Sequence, residues 1–272
     1  MKRRRSYKAS DRKGRGPAVG VLGRLCAPLA LAAIALLAAA LVGGLLSCNL
    51  SSDGVPSPKA AVIVDQLSLT EPNPAFADTA TTLLEQADYA VDYYSGEEVT
   101  VDFYRELPAR GYDLIILRVH SGLARDEGRP TGYVSLFTGE PFDDKKHYEE
   151  REAKLLGRAR YYDGSPEYFS IVPDFIELSM AGRFDDTTII MMGCDGLTTD
   201  RTAEAFVQKG AEVVIGWNGD VSAVHTDRAT ERLLQHLLVE EYTAREAVAR
   251  TMAEVGPDPD YDTVLLTYPP KG

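Results

Sequence analysis

The chain has 272 residues, with 29 Lys and Arg against 41 Asp and Glu, and its formal net charge at pH 7 is −12. Residues 1–48 contain nine Lys or Arg and one Asp, so the rest of the chain carries −20. A negative field of that size argues against nucleic acid or anionic lipid as a ligand of this part. Its length, roughly 220 residues, is that of one ordinary domain with its own core.

The N-terminal region predicts a membrane segment. Residues 1–24 are basic, and an uncharged run of 22 residues, "LCAPLALAAIALLAAALVGGLL", follows from Leu25. A helix of about 20 apolar residues crosses the hydrocarbon core of a bilayer. Because positive charge precedes the run, residues 1–24 are predicted in the cytoplasm and the rest of the chain outside. We therefore expect a protein of the cell membrane whose domain lies on the extracytoplasmic side.

Two kinds of attachment are open for residues 25–48. Leu45-Leu46-Ser47-Cys48 resembles a bacterial lipoprotein box, which implies lipidation of Cys48 as the new N-terminus. The uncharged run is longer than the apolar region of a usual signal peptide, and this favours an uncleaved transmembrane helix. In both cases residues 49–59, rich in Ser, Pro and Gly, are predicted to form a tether.

Residues 60–272 predict one α/β domain. Apolar runs predict strands over 60–65, 89–94, 113–119, 187–193 and 211–217, and a short last strand in "TVLLTY". Helices are predicted over 76–87 after the cap Asn73-Pro74, from the capping box Ser95-x-x-Glu98 to Leu107, and over 200–209, 222–240 and 243–254. Strands that alternate with helices and are apolar on both faces are typical of a mostly parallel sheet. We therefore expect a three-layer αβα sandwich.

Residues 123–173 interrupt this alternation and are predicted as an insertion. "GYVSLFTGEPF" predicts a small hairpin with Gly139 in its turn, and "KKHYEEREAKLL" predicts a charged helix. Long insertions of this kind often act as lids or binding loops.

A histidine and a cysteine follow two of the predicted strands. His120 follows the third and Cys194 the fourth. If these strands are neighbours, both side chains lie at the carboxyl edge of the sheet, where open α/β sheets bind ligands. An imidazole can take the proton of a thiol and so activate it, and the amides of Gly122 and Cys194 could bind an oxyanion. Cys194 is the only cysteine after residue 48, and a small buried hydrophobic residue is the alternative interpretation.

The order of these motifs resembles the caspase-like (clan CD) cysteine peptidases. An apolar strand leads to His-Ser-Gly, then come the insertion, a second apolar strand, Gly-Cys-x-Gly, a helix and "GAEVVIGWNGDVS", which is most like CHAT and gingipain-type domains. The resemblance covers about residues 60–252 and implies a caspase-like fold and a cysteine endopeptidase acting on a protein or peptide. It implies His120 as general base and acid, Cys194 as the nucleophile that forms a thioester, and Gly122 and Cys194 as oxyanion donors.

Four further residues at strand ends are candidates for a substrate pocket. Asp65, Asp195 and Asp220 could line a first pocket for a Lys or Arg side chain, and Trp217 could form its wall. The alternatives are solvated or turn-capping carboxylates and, for Trp217, a place in the core. Several relatives have an acidic residue where this chain has Met192, and this departure weakens the prediction of basic specificity.

The remaining histidines and motifs limit the alternatives. His225 could also reach Cys194, whereas His147 and His236 are expected to have surface or packing roles. The sequence has no HExxH, paired Cys/His spacing, GxGxxG or phosphate-loop motif, so neither a metal nor a cofactor is predicted. Two other functions stay open: a catalytically inactive caspase-like binding or scaffold domain, and a peptidase that the insertion or a partner keeps latent.

Overall fold

The computed structural model describes residues 58–270, apart from residues 127 and 163. The predicted basic region 1–24, the membrane segment 25–48 with Cys48, and the tether up to residue 57 lie outside the described residues. Within the described part, no helix is both long and apolar enough to span a bilayer.

The strands of the described residues form two sheets. In chain order they are β1 (Lys59–Asp65), β2 (Tyr89–Ser95), β3 (Leu114–Arg118), β4 (Ser121–Asp126), β5 (Arg129–Pro141), β6 (Leu156–Ala159), β7 (Tyr168–Ile171), β8 (Thr187–Met191), β9 (Ala211–Trp217) and β10 (Leu265–Tyr268). The main sheet has the order β10-β9-β8-β3-β1-β2, in which every pair is parallel except β10 with β9. The second sheet has the order β4-β5-β7-β6 and is antiparallel.

Helices cover both faces of the main sheet. They are α1 (Pro74–Gln86), α2 (Val101–Glu106), α3 (Tyr148–Glu152), α4 (Pro173–Leu178), α5 (Arg201–Gln208), α6 (Ala223–Leu234), which a π-helical turn Gln235–Val239 extends, and α7 (Ala244–Val255). One buried cluster joins Ile115 and Leu117 to α2, α4, α5 and the second sheet. The other joins Leu114 and Ile116 to α1, α6 and α7. Because successive side chains of β3 point to opposite faces, this alternation places one core on each side of the sheet. The predicted α/β architecture with a mostly parallel sheet is confirmed, and its layers fit a three-layer sandwich.

Most predicted helix ends follow the local signals in the sequence. Asn73 caps α1, with its side chain accepting a hydrogen bond from the Phe76 amide, and Pro74 occupies the first turn. The capping box of Thr243 and Glu246 begins α7. These side chains satisfy amide groups that the first turn of a helix leaves without a partner.

The second helix begins later than predicted, because a short 3-10 turn precedes it. The capping box of Ser95 and Glu98 is present, but it opens a 3-10 turn, Gly96–Glu98, and α2 begins only at Val101 with Thr100 as its cap. A capping box fixes a helical turn at its own position, whereas Thr100 supplies a second cap that starts the α-helix anew.

Two predictions for the insertion are also wrong. Gly139 lies inside β5, and the chain reverses at the other end of that strand, between β4 and β5. Glycine is needed at 139 for a close backbone approach, because a Cβ there would lie 2.0 Å from the Gly96 carbonyl oxygen. The charged helix is confined to Tyr148–Glu152, since Lys154 has a positive φ of 58° and β6 begins at Leu156. The second sheet that forms the insertion begins at Ser121, two residues before the predicted boundary.

Candidate active site

The proposed nucleophile and base lie on loops at the same edge of the main sheet. β3 and β8 are neighbouring parallel strands, and His120 and Cys194 follow their carboxyl ends. The two loops touch: the Ser121 hydroxyl donates to the Cys194 carbonyl oxygen at 2.6 Å. Gly193 permits this contact, since a Cβ there would lie 2.2 Å from the Val119 carbonyl oxygen and 2.3 Å from Ser121 Oγ.

Cys194 has a free, half-buried thiol that is protonated at neutral pH. Its Sγ lies 3.5 Å from the Val221 amide nitrogen, which donates to it, and 3.7 Å from the Val221 carbonyl oxygen. Burial raises the pKa of the thiol, the Val221 amide opposes this rise, and the negative charges of Asp220 and Asp195 add to it. A thiolate is therefore disfavoured in the resting site.

His120 is held by residues from two distant parts of the chain. Its amide donates to Gln66 Oε1 at 2.9 Å, and its Nε2 is hydrogen-bonded to Thr70 Oγ1 at 2.8 Å. The ring packs 4.8 Å from Tyr161 and 5.8 Å from Phe137, measured between ring centroids. Burial, together with the nearby positive charge of Arg118, lowers the pKa of the imidazole to about 4. The imidazole is thus neutral at neutral pH.

The thiol and the imidazole are hydrogen-bonded to other groups. Among the described residues, Sγ of Cys194 contacts Val221, whereas Nε2 of His120 contacts Thr70. The pair therefore rests as neutral thiol and neutral imidazole, without an ion pair between them. If Cys194 acts as a nucleophile, this arrangement requires the proton to leave sulfur during the attack, by general-base catalysis.

The turn after β8 presents a backbone amide to the site. The amides of Asp195 and Leu197 donate to the carbonyl oxygens of Gly219 at 2.8 Å and Trp217 at 2.7 Å, and these bonds fix the turn on β9. The amide of Cys194 itself has no acceptor within the described part of the chain. It is available to a ligand oxygen, as an oxyanion donor must be. Gly122 lies in β4, opposite Ser135, and its role as the second donor stays a prediction.

Two of the four predicted pocket residues flank the thiol. The carboxylate of Asp195 accepts hydrogen bonds from the Leu123 amide at 3.2 Å and the Thr198 hydroxyl at 2.8 Å. Asp220 is exposed on the loop after β9. Both carboxylates lie close enough to Cys194 to raise the pKa of its thiol.

The other two predicted pocket residues are buried and already have partners. Asp65 is 1% exposed, and its carboxylate binds Arg118 at 2.7 Å and the Tyr93 hydroxyl at 2.8 Å. Trp217 is fully buried, and its Nε1 donates to Thr226 Oγ1 at 2.9 Å. Neither side chain can contact a substrate in this arrangement, because Asp65 is buried against Arg118 and Trp217 belongs to the core.

The remaining histidines lie next to other groups. Nε2 of His225 lies 3.2 Å from the Gly256 carbonyl oxygen, and Nε2 of His147 lies 3.1 Å from Glu140. His236 lies between two carboxylates, Glu240 at 3.2 Å and Glu254 at 3.3 Å. None of these three rings is hydrogen-bonded to Cys194 within the described residues. His120 is not hydrogen-bonded to the thiol either, and it stays the predicted base because it follows β3, the strand next to β8.

A buried charged cluster lies directly behind His120. Arg118, which is 1% exposed, binds Asp65 on one side and Asp227 of α6 on the other, at 2.7 and 2.8 Å. Asn73, the cap of α1, donates to the same Asp227 at 2.8 Å. The cluster therefore joins the carboxyl ends of β1 and β3 to the two helices beside them.

A segment that precedes β10 clamps the loop after β9. Thr263 Oγ1 donates to the Asp220 carbonyl oxygen at 2.6 Å, and the Val264 amide donates to Asn218 Oδ1 at 2.8 Å. Asp258 accepts from both the amide and the hydroxyl of Ser222, at 2.9 and 2.8 Å. This clamp fixes the loop that carries Val221 against the sulfur of Cys194.

Sequence reasoning missed Gln66, Thr70, Tyr161 and Val221 as partners of the proposed pair. Gln66 and Thr70 follow β1 directly, so the rule that loops at the carboxyl ends of parallel strands converge could have found them. Val221 follows "WNGD" after β9 and carries the same signal. Tyr161 belongs to a loop of the insertion, and no local pattern indicates its contact with His120.

The described residues contain no group of three or more His, Cys, Asp or Glu side chains that could hold a metal ion. No protein-family model matches the chain, and no curated protein is significantly similar to it.

Proposed function

We propose that the chain is a membrane-tethered, extracytoplasmic cysteine endopeptidase of the caspase-like type. The observation that carries the proposal is the placement of His120 and Cys194 at the carboxyl ends of adjacent parallel strands, with the free amide of Cys194 beside the thiol. A sheet edge of this kind is where open α/β folds bind ligands. The order of the sequence motifs, which resembles that of caspase-like peptidases, also supports the proposal.

In the proposed mechanism, sulfur attacks the carbonyl carbon of a peptide bond while His120 takes the thiol proton. The Cys194 amide, with Gly122 as the predicted second donor, stabilises the negative charge that develops on the carbonyl oxygen. The C–N bond then breaks, and the leaving amine takes the proton from His120, which leaves a thioester on Cys194. Water attacks the thioester, gives its proton to His120 and releases the acid, and the proton returns to sulfur.

The charges around the thiol favour a basic residue at the cleavage site. Asp195 and Asp220 raise the pKa of Cys194 because their negative charges oppose the formation of a thiolate. A Lys or Arg side chain of a substrate placed between these carboxylates would cancel that repulsion and lower the thiol pKa. The same contact would thus bind the substrate and activate the nucleophile.

A second candidate function is a binding or scaffold domain on an inactive peptidase fold. The observation in its favour is that the thiol and imidazole are both neutral and are hydrogen-bonded to Val221 and Thr70. A latent peptidase has the same resting appearance, since release of the Thr70 contact would free the imidazole. Reactivity toward peptides separates these functions.

The test is labelling of the full-length chain with peptidyl acyloxymethyl ketones that carry Arg, Lys, Asp or Leu next to the reactive group. Mass spectrometry of the tryptic peptide 184–201 locates the adduct on Cys194 and excludes the cysteines of the N-terminal region. We expect the Arg and Lys probes to label fastest and His120→Asn to slow the labelling at least about 100-fold, the range of a general base. His147→Asn, which changes a histidine of the insertion, is the matched control. Slow labelling whose rate is the same for all probes and for His120→Asn would contradict the peptidase function. The binding or scaffold domain would then be the remaining proposal.

A further inference from the structure

The second sheet has one face packed in the core and one that is open. Leu136 of β5 and Phe169 and Ile171 of β7 belong to the core cluster, and Val134 of β5 is also fully buried. The opposite face therefore carries the alternate residues of the same strands. Six residues of this face line a groove of about 300 Å³: Gly122, Ser135, Phe137, Gly157, Ala159 and Ser170. The rest of the lining is Leu123, Ala124, Arg125, Tyr133, Arg158 and Val172, so two arginines also border the groove. The strand registers place Gly122 opposite Ser135, and both Phe137 and Gly157 opposite Ser170.

Two serine hydroxyls of this groove have no partner in the described protein. Ser135 is 8% exposed and Ser170 is 1% exposed, and both line the groove. Neither hydroxyl is hydrogen-bonded to another group of the described residues, and neither oxygen is completely buried, so both can bond to water or to a ligand in the groove. Gly157 leaves room for one of them, because a Cβ there would lie 2.7 Å from Ser170 Oγ. The groove thus offers two hydrogen-bonding groups to a ligand.

The groove begins at the proposed active site. Leu123 lines the groove, and its amide donates to Asp195 beside Cys194. On the other side Phe137 lies 5.8 Å from His120, between ring centroids. A peptide held at the Cys194 thiol can therefore continue across the open face of the second sheet.

We propose that this groove is a second specificity site, which binds one side chain of the substrate close to the scissile bond. Its small residues leave space for the apolar body of a long side chain, and Phe137 provides an aromatic wall. The hydroxyls of Ser135 and Ser170 bind the uncharged hydrogen-bonding end of that side chain, as in tyrosine or glutamine. The proposal rests on the peptidase function for the position of the peptide, but the groove can bind a peptide without cleaving it.

The test uses one peptide library in two ways. The full-length wild-type protein digests a proteome-derived peptide library, and mass spectrometry of the products gives the residue preference at each position around the cleaved bond. The same library is passed over immobilised full-length Cys194→Ala, and the retained peptides are sequenced. We expect tyrosine or glutamine to be enriched at one position other than the basic one, and phenylalanine and leucine to be disfavoured there, because they leave the two hydroxyls unpaired.

Two variants assign the preference to the groove. Ser135→Ala combined with Ser170→Ala should reduce the enrichment at least about fivefold, as expected for lost hydrogen bonds, and leave the basic preference unchanged. Ala159→Leu should fill the groove and abolish the enrichment. Ser179→Ala and Ala75→Leu, which lie on other elements, are the matched controls, and thermal unfolding checks that each variant is folded.

The outcomes separate this proposal from the peptidase function. Enrichment among the retained peptides without any cleavage would overturn the peptidase and keep the groove. Cleavage whose preferences are the same in wild type, the double serine variant and Ala159→Leu would overturn the groove and keep the peptidase. An absence of any position with tyrosine or glutamine enrichment, in either use of the library, also overturns the groove.

Discussion

The resting thiol of Cys194 is surrounded by groups that oppose its charge. Burial is the largest cause of its raised pKa, and the carboxylates of Asp220 and Asp195 add to it, while the neighbouring imidazole has a pKa of about 4. Because the thiolate is the reactive form, we expect slow reaction with reagents that bring no positive charge. Reactivity that depends on the charge of the partner would protect the thiol from unspecific chemistry.

Asp220→Asn should lower the pKa of the Cys194 thiol. The substitution removes a negative charge, which stabilises the thiolate, so alkylation by iodoacetamide at pH 8 should become about threefold faster. In wild type the rate should keep rising above pH 9, since the thiol pKa is raised from its usual 9.0. In the variant the midpoint of this rise should move to lower pH. Mass spectrometry of peptide 184–201 measures the reaction at Cys194 alone.

Asp78→Asn is the control for this charge effect. Asp78 is exposed on α1, away from the sheet edge, so its loss changes the net charge equally without a local contact to the thiol. Equal rates for wild type and Asp220→Asn at every pH would show that Asp220 does not act on Cys194.

At the scale of elements, the site depends on how closely the loops after β3 and β8 approach. Gly193→Ala should separate them, because the new Cβ would overlap the Val119 carbonyl oxygen and Ser121 Oγ, at 2.2 and 2.3 Å. Overpacking of this kind costs about 1–3 kcal/mol of unfolding free energy. Urea unfolding, followed by the fluorescence of Trp217, the only tryptophan, measures the loss.

Gly122→Ala is the matched comparison on the neighbouring loop. A Cβ at Gly122 would meet no atom within 4 Å, so the stability should change by less than about 0.5 kcal/mol. A Gly193→Ala protein as stable as wild type would contradict the close approach of the two loops.

The elements of the main sheet could be predicted because their signals are local. β1, β3, β8 and β9 are apolar runs, and a strand buried on both faces needs no other property. The role of Gly139 could not be predicted, since its reason is the Gly96 carbonyl oxygen, which another part of the chain brings close. A glycine in a sequence is usually interpreted as part of a turn. Gly139 is needed instead because two backbone segments pass close to each other.

The positions of the two main residues of the candidate site could also be predicted from local signals. His120 and Cys194 follow apolar strands, so a rule about strand ends finds them. The sequence does not contain the strand order, however, and only that order shows that β3 lies between β1 and β8. For this reason the strand-end rule could place Thr70 at the edge of the sheet but could not pair it with His120, and the burial of Asp65 by Arg118 had no sequence signal.

At the scale of the whole molecule, Arg118 joins parts that are far apart in the chain. It binds Asp65 and Asp227, and it also donates to the Glu71 carbonyl oxygen at 2.8 Å. Two carboxylates share one guanidinium, so the cluster carries a net charge of about −1 in a buried place. Such a cluster is costly to desolvate, and it is stabilising only while every member is present.

Arg118→Met should destabilise the fold strongly. The variant leaves the carboxylates of Asp65 and Asp227 buried and without a counter-charge, for which a loss of about 3–5 kcal/mol is expected. The free energy of unfolding in urea measures it, again with Trp217 as the reporter. Arg201→Met removes the partially exposed ion pairs with Asp174 and Glu177 and should cost about 1 kcal/mol or less. Similar losses in the two variants would contradict the structural role given to Arg118.

The clamp before β10 has a consequence for the growing chain on the ribosome. Asp258, Thr263 and Val264 hold the loop that presses Val221 against Cys194, and they are translated after β1 to β9. The contacts that fix this loop can therefore form only after the residues that carry His120 and Cys194 have been synthesised. The order of synthesis delays the finished surroundings of the sulfur until residues 258–268 have emerged from the exit tunnel.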